Sequence, residues 1–233
     1  MCVVLLLPAL ALSAVTDIDV YWAIGLMGIL AMLYTVLGGI SAVIWTDVLQ
    51  VIVLLGGALL AFCLMIFGTD GGTAGFVEIN LDYEKFKTIE WGWDWTMPVI
   101  WVFILNQMMT QATFPSDQVM VQRVLTTPSV KAARKSYILL GLIVIPGTLL
   151  FHFLGSSLFS YFHSHPELLN PEMRDIQIFP LYIVEALPAG VAGLLIAALF
   201  AACMSTLDSS MNSVSTVVLL SLIHISEPTR HRR

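Results

Sequence analysis

Twenty-seven consecutive residues, Val20–Thr46, carry no charge, and after the single Asp47 the run Val48–Gly68 is uncharged as well. A helix crossing a bilayer needs about 20 predominantly apolar residues. Further runs with few or no charges lie at 1–16, 95–116, 136–162 and 186–220. Only 11% of the 233 residues are charged, against roughly a quarter in a soluble domain, while 58% are hydrophobic; the mean hydropathy is +0.89. This excludes a disordered chain, a nucleic-acid binder and an ordinary cytosolic enzyme. The reading is an all-α polytopic membrane protein, whose net charge of −6 matters less than where the charges fall.

Six spans are expected, at about 1–16, 20–46, 48–68, 95–122, 136–162 and 186–220. Gly38-Gly39 favours a turn or close backbone approach within the second run. Pro146-Gly147 marks an expected kink in the fifth. Trp91, Trp93 and Trp95 stand where amphipathic rings favour a membrane interface. Arg123, Lys131, Arg134 and Lys135 collect in one loop, whereas the short link with Asp17/Asp19, the polar loop expected at Asp70–Asp94 and the loop expected at His163–Glu185 are acidic or mixed. By the bias of basic residues toward the cytoplasm, six alternating spans leave the C-terminal end cytoplasmic. Cys2, Cys63 and Cys203 lie far apart in apolar runs, so they read as packing residues rather than a disulfide or zinc framework. His152 reads as a core histidine.

An ionisable group inside a span is costly and is a functional hypothesis by default. Asp47 and Asp208 are the two such carboxylates, and neither has a basic residue within a helical turn along the sequence. Ala202, Ser205, Thr206 and Ser209 are spaced to share one helix face, which Ser213 and Thr216 extend, with Asp208 and Asn212 on its flank. Hydroxyl and carboxylate oxygens at this spacing suit a hard cation. Small hydroxyl residues also line ordinary helix contacts, and Asp47 has a second reading as an interfacial helix cap. Asn106, Gln107 and Gln111 in the fourth run read as packing hydrogen bonds.

Three stretches carry a resemblance. Tyr34 to Gln50, with Gly38-Gly39 and Trp45-Thr46-Asp47, resembles the signature of the solute:sodium symporter family. Asp117-Gln118 through Gln122-Arg123 is similar to the stretch closing a later span there. Gly193 to Ser213, containing Met204-Ser205-Thr206-Leu207-Asp208-Ser209, looks like the family's sodium-binding helix. The family includes sodium/glucose, sodium/proline and sodium/sialic acid symporters. The resemblance implies part of a five-plus-five inverted-repeat (LeuT-like) transporter core, running from the third core helix to the eighth. It implies a main sodium site at Ala202, Ser205 and Thr206, and a second at Asp47, Ser205, Asp208 and Ser209. Position 208 is often serine in the family, so a carboxylate there is expected to bind a cation more strongly or to be protonated when empty. Thr113 and Phe114 fall where sugar-transporting relatives place an aromatic gate pair, and Gln118 lies just beyond. Thr113 is not aromatic, which argues against simple transfer of the sugar pocket.

The stretch from Thr126-Thr127-Pro128-Ser129 to His165-Pro166-Glu167 resembles bacterial members, including sialic acid transporters. The expected activity is sodium-coupled import of a small organic solute, such as a sugar or sialic acid, by an integral protein of the plasma (inner) membrane. Sodium serves as coupling ion, with no organic cofactor, no nucleic-acid partner and no enzymatic activity. Two alternatives stay open: a transporter-like solute sensor, and an intramembrane aspartyl protease built on the two carboxylates. The protease is the weaker, because Asp208 follows Ser-Thr-Leu rather than Gly-x-Gly. The family's first core helix would precede Met1, and its ninth and tenth would follow the last span. Residues 221–233 leave the family pattern, resemble translated adapter sequence and read as a non-native tail.

Overall fold

A computed structural model describes residues 18–87, 100–113, 117–169 and 175–226, with residues 6, 9, 10, 12 and 13 in addition. Helix α1 spans Val20–Gly68 and α2 Gly72–Asp82; α3 is Ile100–Thr113, α4 Gln118–Leu125 and α5 Val130–Ser164. Two 3-10 turns, Pro166–Leu168 and Asp175–Gln177, precede α6 at Ile178–Glu185 and α7 at Ala189–Ser226. Three of these, α1, α5 and the stretch Ala189–Ile223 of α7, are long and apolar enough to cross a membrane. No residue in the apolar stretch of α5 is buried. A helix so hydrophobic and so unburied suits lipid or a neighbouring helix, not water. Residues 1–54 with 188–233 form one compact unit and residues 55–187 another.

The first unit is organised by a break inside α1. Gly39 has φ 57° and ψ −156°, a region essentially closed to side-chain-bearing residues. The glycine pair thus makes the turn expected of it, and helical backbone resumes after it and runs on to Gly68. The boundary expected between Thr46 and Val48 is not where the helix ends: Asp47 sits in continuous helix. Its carboxylate has a partner on α7, described below, so the charge does not force the chain out of helix. Before the break, Ala23, Met27 and Ala31 recur at four-residue spacing and bury against Cys203 and Leu207 of α7. Alanines at this spacing let two helix backbones approach closely.

The second unit departs from expectation in its connections. The segment 70–94 was expected as a polar loop, yet Gly72–Asp82 is helical and packs on α5. Asn80, fully buried, explains part of this: its Nδ2 donates to Phe76 O at 2.7 Å and to Ser160 Oγ of α5 at 2.6 Å. Phe76 stands edge-on to Phe62 and Phe86, with centroids 6.1 and 5.9 Å away. The expected fourth span, 95–122, is not one helix. Asp117 is extended and caps a new helix, its Oδ1 accepting from the Val119 N–H at 2.9 Å. Ser129 caps α5 likewise, accepting from the Ala132 N–H at 3.2 Å. The segment 163–185, expected as a loop, contains α6, where Tyr182 and Ile183 are buried. His152 is exposed rather than in a core, because it lies on the bare face of α5. Cys203 is buried and Cys63 half-buried, both as free thiols. The tryptophan cluster, Phe114, most of the first expected span and the chain beyond Ser226 lie outside the described residues.

Candidate functional site

The candidate residues converge in the first unit, where the part of α1 following Gly39 meets the middle of α7. Ser205 Oγ donates to Asp47 Oδ1 at 2.5 Å, the short separation typical of a charge-assisted O–H···O bond. Asp208, one turn further along α7, is fully buried. Its Oδ1 accepts from the Ser209 N–H at 2.6 Å. Its Oδ2 accepts from Tyr34 OH at 2.8 Å and lies 3.5 Å from Thr46 Oγ1. A buried carboxylate is tolerated only where donors replace the water it has lost, and these contacts do so.

The turn at Gly39 is what makes the site possible. On a straight helix, residues 34 and 46 would stand about 18 Å apart along the axis. Here both hydroxyls reach one carboxylate oxygen, so they are at most 6.3 Å from each other. The helix must bend between them, and Gly39 is the residue that departs from helical geometry.

Ala202 and Thr206 are also adjacent: Thr206 Oγ1 donates to Ala202 O at 3.1 Å, on an exposed part of α7. Ser209 and Ser213 are buried, and the Ser213 hydroxyl donates to Ser209 O at 2.9 Å. The six expected ion-site residues therefore meet in three pairs, Asp47 with Ser205, Asp208 with Ser209, and Ala202 with Thr206. Of the expected gate residues, Gln118 is half-buried at the start of α4 in the second unit, Thr113 ends α3 in backbone only, and Phe114 is outside the described residues.

Oxygens dominate the cluster. Among the described residues, no group of three His, Cys, Asp or Glu side chains gathers to hold a metal. Gln50, three residues after Asp47, lies beside the Tyr34 phenol. Its Oε1 is buried without a hydrogen-bond partner, as is Thr35 Oγ1. Buried acceptors of this kind are completed by a cation or an ordered water. Hydroxyls, carboxylates and an amide oxygen are what a hard cation requires. Thr35 also lines a cavity of about 430 Å³ with Met32, Leu207, Ser210 and Met211; its walls are mainly apolar. Tyr34 and Thr46 were not among the expected site residues. Thr46 could have been found as the neighbour of Asp47, whereas Tyr34 lies on the far side of the turn.

Long apolar helices that hold a buried carboxylate–hydroxyl cluster between them fit a membrane protein of the transporter class. The model of the family described as SSF, sodium:solute symporter family, matches residues 1–225, and the chain belongs to that family. It is 39% identical over 214 residues to a sodium/sialic acid symporter of Proteus mirabilis, covering 90% of this chain and 43% of the relative. A sodium/sialic acid symporter of Aliivibrio fischeri is 37% identical over 217 residues, covering 91% and 43%. A solved structure, the substrate-bound outward-open state of a Na+-coupled sialic acid symporter, aligns with a TM-score of 0.83 at 36% identity, covering 91% of this chain and 44% of that one. The chain thus spans less than half the length of the relatives it matches. The family is one of transporters, and the protease reading is not favoured.

Proposed function

We propose that this chain is the ion-binding part of a sodium-coupled symporter that imports a small organic acid sugar of the sialic acid class across the plasma (inner) membrane. The observation that carries the reading is the pairing of Asp47 with Ser205 across α1 and α7. It joins the symporter signature to the hydroxyl helix at one point. Relatives named as sodium/sialic acid symporters, at 37–39% identity, support the solute class.

In this reading the Ser205 hydroxyl, the Thr206 hydroxyl and the Ala202 carbonyl ligate the coupling sodium ion. Asp47, Ser205, Asp208 and Ser209 form a second cation position. The Ser205 hydroxyl donates to Asp47 in the structure; to take a cation it rotates and presents a lone pair, leaving Asp47 Oδ1 to face the ion. Sodium binding favours one side of an alternating-access equilibrium, the side that also binds solute. By linkage, sodium raises solute affinity and solute raises sodium affinity by the same factor. The C-terminal end of α7 is assigned to the cytoplasmic side, and Thr113, Phe114 and Gln118 are the candidates for a gate.

The test is uptake of labelled sialic acid into proteoliposomes containing a full-length symporter that carries this segment. Uptake should follow an inward sodium gradient and collapse when choline replaces sodium. Uptake indifferent to sodium would refute the reading, and solute binding without accumulation would favour a sensor instead.

A further inference from the structure

The contacts on Asp208 differ in what they can do. Thr46 Oγ1 carries one proton, and it lies 2.9 Å from Ala42 O and 3.0 Å from Val43 O of its own helix. Both carbonyls are nearer than Asp208 Oδ2 at 3.5 Å, which is at the limit of a hydrogen bond. The Thr46 proton is therefore committed to its own helix. Tyr34 OH, at 2.8 Å, is the effective donor from α1 to this carboxylate. The Ser209 N–H anchors the other oxygen from the neighbouring residue. A carboxylate turns broadly about its last torsion, and a donor on each oxygen restrains its plane.

We infer that Tyr34 is a positioning residue for the cation site: through Asp208 it fixes the turn of α7 from Ser205 to Ser209 against Asp47. The inference rests on the sodium reading above. It assigns the phenol no contact with the ion. Its action passes wholly through the Asp208 carboxylate, with the Gly39 turn placing the ring where it can reach.

The experiment measures sodium-activation curves of solute uptake in a full-length symporter carrying this segment. It uses Tyr34→Phe, Asp208→Ser, the double variant and Ser205→Ala. Tyr34→Phe keeps the ring and removes only the hydroxyl. It should raise the sodium concentration for half-activation about tenfold, as expected for a lost hydrogen bond to a charged group, while the solute KM at saturating sodium stays unchanged. In the Asp208→Ser background, Tyr34→Phe should have no further effect on sodium activation. An equal shift with and without Asp208, or a change in solute KM alone, overturns the inference. So does an unaltered curve for Tyr34→Phe when Ser205→Ala shifts sodium activation. If Ser205→Ala itself leaves sodium activation unchanged, the sodium reading fails, and the inference with it. Detergent-solubilised Tyr34→Phe should elute as the parent does and keep a cooperative melt, and a shift in sodium activation accompanied by a collapse of folding would assign the residue a structural role instead.

Discussion

Replacing Gly39 by alanine probes the turn on which the candidate site depends. The backbone at Gly39, φ 57° and ψ −156°, lies where a side-chain-bearing residue is held at a cost on the order of 1–3 kcal/mol. A Cβ placed there meets nothing within 4 Å, so the whole cost is backbone strain and no neighbour has to move. Gly25, in the helix before the turn, also has nothing within 4 Å of an added Cβ and is exposed. Alanine in a helix interior is favoured over glycine by roughly 0.5–1 kcal/mol. The loss of unfolded-state freedom is common to both substitutions. Gly39→Ala should therefore fall below Gly25→Ala by about 1–3 kcal/mol, the backbone strain alone. Denaturant titration of the protein purified in mild detergent, following tryptophan emission, measures the difference. If Gly39→Ala proves as stable as Gly25→Ala, the turn is not held by glycine geometry, and the account of how Tyr34 and Thr46 reach one carboxylate fails with it.

Ser205→Ala should raise the sodium concentration for half-activation about tenfold or more, since a hydrogen bond to a charged group contributes roughly 1.5–3 kcal/mol; an unchanged sodium-activation curve would sink the assignment. Asp47→Asn should change the number of sodium ions moved per solute, read as the ratio of charge to tracer flux, and an identical ratio would remove Asp47 from the coupling site. In the second unit, Asn80→Ala removes the donor to Phe76 O and Ser160 Oγ and should destabilise the protein by about 1–3 kcal/mol. Its transport kinetics should stay unchanged, and a melting temperature equal to the parent's would refute the role given to that pair.

Much of the architecture could be read from periodicity and charge. The hydroxyl face of α7 follows from a 3.6-residue repeat inside one uninterrupted helix, and Asp47 and Asp208 stand out because each is a lone charge in an apolar run. The glycine pair marked the turn for the same local reason. Asp47, by contrast, looked like a span boundary, because a carboxylate in an apolar run is costly until its partner is known. That partner, Ser205, is 158 positions away. The helix Gly72–Asp82 was hidden by a polar composition; Asn80 is buried there through a bond to Ser160, which no local pattern announces.

By itself, then, the amino-acid sequence determined the environment, the helical class and the family, because these depend on composition, on runs of about 20 residues and on motifs contiguous along the chain. Which oxygens meet was decided by tertiary structure. Tyr34 and Thr46 are twelve positions apart on what would be a straight rod, and only the kink at Gly39 brings both to Asp208. A periodicity counts positions within one helix. It carries no information about where two helices fold back on each other, and the chemistry of the candidate site lies at that crossing.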